Sequence, residues 1–411
     1  MAHPELTPLE TAQRQLTDAA SGCVARDVEE VAVFSASGRI VAKDIVSECD
    51  LPPADVSAVD GFALSSEMLE KDPDFSFEII GEAKAGHPFT SEVAKDQALR
   101  IYTGAVMPSG PDCVVMHEDC EDSTDRVVSQ LVLTAGSNIR PRGENLAKSE
   151  LLIRSAERLT PAAIGQLSAA GVKTVRVCKR LKTAILSMGD EVVSPGSPLG
   201  AGQIFDSNRP MLHALLSAAH VEIEDGGIVS DKQAALVEAY RKALEECDVL
   251  ISSGGASDGV EDHTQAALKA LGAEILFWRV AIKPGRPVCA ARLGNKFIFC
   301  LPGNPVAVYV CFMLLVKPVL DILAGGRVAK TTRFQVAAGF SYRKKKGRTE
   351  FLRVTLSTDE NGHATAFIHG RKGAGVISSL LGADGLVEIP SDAEQISAGD
   401  RLRFIPFEGG A

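Results

Sequence analysis

The stretch LISSGGASDGVEDH, residues 250–263, runs from an apolar segment into the pair Gly254–Gly255 and then into Asp258, Glu261 and Asp262. A glycine-rich turn after a strand lets backbone N–H groups approach a phosphate, so carboxylates placed beside one ask for a reason. Acidic side chains in the first turn of a following helix would complement the positive end of its dipole. Alternatively, a divalent cation such as Mg²⁺ would bridge the carboxylates to a phosphate-bearing ligand. Both readings stand on this stretch alone.

Other segments have residue types suited to anions. Lys283 opens the turn KPGRP, where its ammonium could neutralise an oxyanion. The loop PGNP at 302–305 offers unpaired backbone N–H groups before a helix start, or else is only a helix entry with Asn304 as its cap. Asp60, beside Gly61, is either a turn former or a functional acid. The run RKKKGR at 343–348 is either a solvated loop or a clamp for an anionic ligand. CVVMHEDC at 113–120 sets His117 between two cysteines, but the spacing matches no common zinc pattern and alternates like a strand.

These residues need elements to hold them. From Leu181 the chain reads as strand, loop, helix: KTAILSM, a helix from about Arg209, a helix over SDKQAALVEAYRKALEEC capped by Ser230 or Asp231, then the strand DVLIS. In such open sheets ligands bind outside the carboxyl ends of the strands, so the loops GDE, GGASDG, KPGRP and PGNP are expected to converge on one crevice. Ser47 to Asn145 carries short alternating runs broken by Gly and Pro, which makes a β-rich module. The segment from about 328 to 411 is similarly β-like, a small barrel or sandwich. TPLE at 7–10 and LTPAAIGQLSAAG at 159–171 read as helix starts, with Thr7 and Pro8 at the cap and first turn of one.

A chain of 411 residues exceeds one hydrophobic core, and 45% apolar with 23% charged residues is ordinary for folded globular domains. The net charge of −10 argues against nucleic acid as a partner. The apolar run VAVYVCFMLLV at 306–316 is too short to cross a bilayer before Lys317 and reads as a buried helix, so no membrane partner is expected. The N-terminus lacks a secretory pattern, and nine cysteines without a C-x-x-C pair read as reduced thiols, which makes the cytoplasm the expected location.

Seven segments in this order resemble the molybdopterin molybdenumtransferase family, which includes the bacterial MoeA proteins and the C-terminal domain of gephyrin. They are SAVDGFA (57–63), TGAVMPSGPDCVV (103–115), GDEVVSPG (189–196), GQIFDSNRPML (202–212), GGAS (254–257), IKPGRP (282–287) and LPGNPVA (301–307). The resemblance implies a multidomain α/β protein: a discontinuous N-terminal domain (1–46 plus 147–178), an inserted β-rich domain (47–146), a central doubly wound α/β molybdopterin-binding domain (179–327) and a small C-terminal β-barrel-like domain (328–411). It implies insertion of molybdate into adenylylated molybdopterin with release of AMP, dependence on Mg²⁺, and a homodimer. The molybdopterin adenylyltransferase that supplies the substrate is a candidate partner.

By the same resemblance, Asp60, Thr103, Glu191, Asp231, Asp262 and Lys283 are expected to act in catalysis, with Glu191 and Asp262 holding the metal. Gly254, Gly255, Ser257, Arg279, Pro302, Gly303, Asn304, Pro305 and Arg353 are expected to bind substrate or molybdate. Three positions depart from the family pattern: Arg279 replaces a usual Lys, Ala374 a usual Ser, and Asp258 a small apolar residue. A site completed across a dimer interface would let the basic segment 343–353 reach the crevice. Adenylyltransferase-like activity and a non-catalytic molybdopterin-binding scaffold are the alternative functions.

Overall fold

A computed structural model describes residues 6–23, 27–254, 263–327 and 332–407. At its centre lies a six-stranded sheet in the order Glu222–Val229, Lys182–Met188, Val249–Ser253, Lys296–Leu301, Cys289–Leu293, Glu274–Trp278. The first four strands in that order are mutually parallel; the fifth, Cys289–Leu293, runs antiparallel to both its neighbours, so the sixth points the same way as the first four. Its inner strands Lys182–Met188, Val249–Ser253 and Lys296–Leu301 are largely buried runs because both faces are covered, whereas the edge strand Glu222–Val229 carries Glu222, Glu224 and Asp225. One face packs on Leu212, Leu216 and the apolar helical run after Pro305, and the other on Leu236, Tyr240, Ala243 and Leu244 of the helix Gln233–Glu246. The chain moves from Lys182–Met188 outward to one neighbour and then back to the other, so a crevice opens between the carboxyl ends of Lys182–Met188 and Val249–Ser253.

The helical run Pro305–Leu323 is long and apolar enough by composition to cross a membrane, with a mean hydropathy of 2.2, yet 78% of its apolar window is buried inside the protein. A π-helical segment, Phe312–Val316, divides it, and Lys317 and Pro318 follow in the next helical stretch. The N-terminal helix Leu9–Ser21 packs Leu9, Ala12, Leu16 and Ala20 into this same central core. Its start differs from the TPLE reading: Thr7 forms a parallel bridge with Val280 instead of capping, and Pro8 takes the cap position. Helix Pro161–Ala169 keeps its cap, with Ala163 N–H donating to Thr160 Oγ1 at 3.2 Å.

The strand Val28–Ala32 pairs with Thr174–Cys178, and Ile45–Val46 with Leu151–Ile153. Beyond them the two connections to the inserted module run side by side, through the Leu51–Leu146 bridge and the pairing of Val56–Ser57 with Ile139–Arg140. The module itself is a six-stranded mixed sheet containing Gly61–Leu64 and Gln97–Ile101. At the other end, five strands, Thr349–Thr358, Ala364–Ile368, Phe334–Ala338, Arg401–Pro406 and Gly385–Ile389, close into a barrel through the pairing of the first with the last. A short strand of the central region, Ile282–Lys283, adds to this barrel in parallel beside Thr349–Glu350.

Candidate active site

Three loops meet at the carboxyl ends of the central strands. Gly254 donates its N–H to Leu301 O at 3.2 Å, and Gly189 to Val229 O at 3.4 Å. Gly254 has φ +96°, and a Cβ there would stand 2.4 Å from Met188 O, so only glycine lets these strand ends approach so closely. The PGNP loop is tied across the crevice, with Asn208 Nδ2 donating to Gly303 O at 2.7 Å. Asn208 Oδ1 is buried without a hydrogen-bond partner among the described residues.

Beneath the loops lies a polar network around the buried Asp206 that the sequence reading did not single out, although GQIFDSNRPML supplies Asp206 and Arg209. Asp206 accepts from Ser187 Oγ at 2.9 Å, Arg209 Nε at 2.9 Å and Arg209 N–H at 3.1 Å. Arg209 also reaches Asp225 at 2.5 Å. The network pins the first turn of helix Asn208–Ala218 to the sheet and so holds Asn208 at the crevice.

The rim of the crevice is acidic. Asp190, Glu191 and Asp231 stand close enough that burial, then Glu191, then Asp190, raise the Asp231 carboxyl above the ordinary carboxylate range. Glu191 folds back over Gly189, where a Cβ would meet its Oε2 at 2.6 Å. Asp231 N–H donates to Asp190 Oδ1 at 3.1 Å. Neither Ser230 nor Asp231 caps the following helix: it begins at Gln233 with Lys232 at the cap position, which leaves Asp231 in the rim. Gly255, Ser257, Asp258, Glu261 and Asp262 lie outside the described residues, and so does the proposed pairing of Asp262 with Glu191 at a metal. No group of three or more potential metal ligands occurs among the described residues. Mutually repelling carboxylates are nonetheless the donor type that a hard cation needs.

A second feature adjoins the first. Between the KPGRP turn, the PGNP loop and the barrel lies a cavity of about 450 Å³ lined by Lys283, Arg286, Arg348, Arg353, Arg371 and Lys372, with Glu350 the acidic side chain among them. Pro302 and Asn304 line it too, so the PGNP loop is common to cavity and crevice. KPGRP lies at this same edge, as expected: Trp278, Cys289 and Cys300 are in register, so the connection from Glu274–Trp278 to Cys289–Leu293 runs at the carboxyl ends of the parallel strands, and through Ile282–Lys283 it also forms the junction with the barrel. Gly285, φ +114°, allows the turn to pack where a Cβ would lie 2.6 Å from Cys311 Sγ. Arg353 is 7% exposed, donates from Nε to Ser379 Oγ at 3.0 Å and from a terminal nitrogen to Arg371 O at 3.1 Å, and burial lowers its proton affinity.

The basic segment enters this cavity from within the same chain. Arg348 lines it, whereas Lys344 is spent on the carbonyls of Pro390, Ser391 and Ala393. Within one chain, Arg348, Glu350 and Arg353 of residues 343–353 already line the cavity beside the KPGRP turn. Arg279 takes a left-handed backbone, φ +71°, where its carbonyl accepts from Thr7 N–H at 3.2 Å and its N–H donates to Val288 O at 2.9 Å.

Asp60 and Thr103 are brought together, but on the inserted module. Asp60 Oδ1 accepts from both Thr103 N–H and Oγ1 at 2.7 Å, and these bonds hold the exposed carboxyl below its ordinary range. Cys113 donates to Leu64 O, and burial pushes its thiol, like that of Cys120, up to about 12, which makes the pair poor metal ligands near neutral pH.

Known proteins share this architecture along the whole chain. Family models match the MoeA N-terminal region (domain I and II) over residues 7–171, a probable molybdopterin binding domain over 184–322, and the MoeA C-terminal region (domain IV) over 335–407. A molybdopterin molybdenumtransferase of Haemophilus influenzae is 34% identical over 374 residues, covering 90% of this chain and 92% of its own. One from Nostoc sp. is 37% identical over 306 residues, covering 73% of this chain and 70% of its own. The crystal structure of a molybdopterin biosynthesis MoeA protein from Pyrococcus horikoshii superimposes with a TM-score of 0.81 at 29% identity, over 98% of this chain and 100% of that one.

Proposed function

The chain belongs to the MoeA family, and from that premise we propose that it is a molybdopterin molybdenumtransferase, which inserts molybdate into adenylylated molybdopterin, releases AMP and so forms molybdenum cofactor. The observation that carries this reading is the pairing of an acidic crevice with a cationic cavity through one shared loop, PGNP. A substrate with a pyrophosphate at one end and dithiolene sulfurs at the other needs two such compartments side by side. The glycine-lined crevice admits the pyrophosphate, while the cavity concentrates a tetrahedral dianion next to the sulfurs.

Lys283, Arg353 and Arg279 offset the negative charge of molybdate and phosphate, and Pro302, Gly303, Asn304 and Pro305 shape the wall between them. Glu191 and Asp231, with Asp262, would hold Mg²⁺, which when bound supplies charge neutralisation at the pyrophosphate. Asp60 and Thr103 form an exposed acid and hydroxyl pair on the inserted module, available to a substrate presented from outside it. A homodimer in which that pair approaches the crevice of the partner subunit is part of the proposal.

The division into 1–46 with 147–178, 47–146, 179–327 and 328–411 belongs to the same reading, supported by the strand pairings, with helix Leu9–Ser21 as a brace onto the central core. The nine cysteines are free thiols, which suits a reducing cytoplasm. Family matches on both sides of the central domain favour the transferase over an adenylyltransferase-like activity. The test is AMP release from adenylylated molybdopterin by purified protein with Mg²⁺, with and without molybdate. We expect molybdate-dependent release and a product that activates a cofactor-free molybdoenzyme; tight pterin binding with no release would replace the transferase by a scaffold.

A further inference from the structure

The Lys283 ammonium is not loose in the cationic cavity. Lys283 stands directly opposite Glu350 in the parallel pairing of Ile282–Lys283 with Thr349–Glu350, and Nζ donates to both carboxylate oxygens, at 3.3 and 3.1 Å. Glu350 is only 4% exposed, and its Oε2 also accepts from the Tyr342 hydroxyl at 2.8 Å. Burial and the Glu350 carboxylate push that hydroxyl up to about 12, so it remains a donor at neutral pH. Lys372 Nζ lies 4.9 Å from the Tyr342 ring centroid, which fixes the outer side of the same chain of contacts.

A carboxylate inside a pocket for an oxyanion weakens binding by repulsion, so its presence there calls for a compensating role. Lysine carries a compact charge on a flexible four-carbon stem and, if free, closes on any tetrahedral dianion whatever its size. Held at two oxygens, it cannot follow a smaller ion inward. Arg353, fixed by Ser379 and the Arg371 carbonyl, is a second cation with a set position. Molybdate and sulfate share charge and shape and differ chiefly in bond length, which is the property that two fixed donors measure.

We propose that Glu350, supported by Tyr342, is a positioning residue that fixes the Lys283 ammonium and thereby makes the cavity prefer molybdate over the smaller sulfate. This rests on the reading of the cavity as the molybdate compartment. The test is calorimetric titration of the full-length protein with molybdate and with sulfate, for the wild type, Glu350→Gln and Tyr342→Phe. We expect a wild-type preference for molybdate that falls about tenfold in Glu350→Gln, through tighter sulfate binding, and by a smaller factor in Tyr342→Phe, where the carboxylate remains. A purely structural role would scale both affinities together; an unchanged ratio in both variants overturns the proposal. Equal wild-type affinities also overturn it while leaving the AMP-release result untouched. Binding of neither anion removes the molybdate reading of the cavity and the inference with it.

Discussion

Gly254→Ala is the sharpest probe of the crevice, because the structure separates two costs that usually come mixed. At φ +96° an L-residue is strained, by about 1–2 kcal/mol. The added Cβ would also lie 2.4 Å from Met188 O, a backbone atom of the neighbouring strand that cannot rotate away. Forcing the strand ends apart costs about 1–3 kcal/mol more, and the stiffer unfolded chain returns about 0.4–1 kcal/mol. Gly227 is the control: it has φ +76° in the same sheet, and nothing lies within 4 Å of its Cβ position, so Gly227→Ala carries only the backbone strain. Trp278, the single tryptophan, sits on an edge strand of this sheet, so its fluorescence during urea unfolding reports the central domain. Gly254→Ala should lower the unfolding midpoint further than Gly227→Ala by about 1 M, for a slope of about 1–3 kcal/mol per M. Equal midpoints would refute the claim that close approach at Met188 dictates the glycine.

Asp60→Ala should abolish or severely reduce AMP release while leaving the melting temperature unchanged, because the carboxylate is exposed and, among the described residues, its Oδ1 bonds only Thr103. Thr103→Val, which keeps the N–H bond, should lose less, and full activity of Asp60→Ala in single-turnover assays would remove the pair from the site. His220 gives a pH prediction: burial, then Arg158 and Arg180, lower its proton affinity. The native protein therefore holds it neutral, and its contribution is present above the ordinary histidine range and lost as pH falls through the depressed folded value. His220→Asn tolerates the φ of +58° and should show a shallower loss of melting temperature between about pH 7 and pH 5; parallel pH profiles would contradict this.

The strand and helix rhythm after Leu181 was legible because each element carries its own apolar period: DVLIS, the stripe Leu236, Tyr240, Ala243, and the run after Pro305 all lie where their patterns place them. The glycines and prolines of the crevice loops were legible for the same local reason. Thr7 was misread because a cap signal is local, whereas its bridge to Val280 depends on the packing of the N-terminal helix. Glu350 left no local signal: its meaning comes from register with Lys283, 67 residues away, and nothing in GRTEFLR tells that carboxylate from a solvated one. Asp206 likewise becomes visible only when Ser187 and Arg209 are brought beside it.

The side-by-side connections to the inserted module constrain sequence change in an uncommon way. Because Ile45–Val46 pairs with Leu151–Ile153 and Val56–Ser57 with Ile139–Arg140, the two arms between those pairings are held close in length, residues 47–55 against 141–150, with a register irregularity between Leu151 and Ile153. A further residue gained or lost in one arm has little slack to absorb it. It would shift one ladder against the other and turn the side chains beyond it to the opposite face. Such a change is tolerated only with a compensating one in the other arm, some ninety residues away along the chain, so the arms should gain and lose residues in concert even though the module they carry is free to vary in its outer loops.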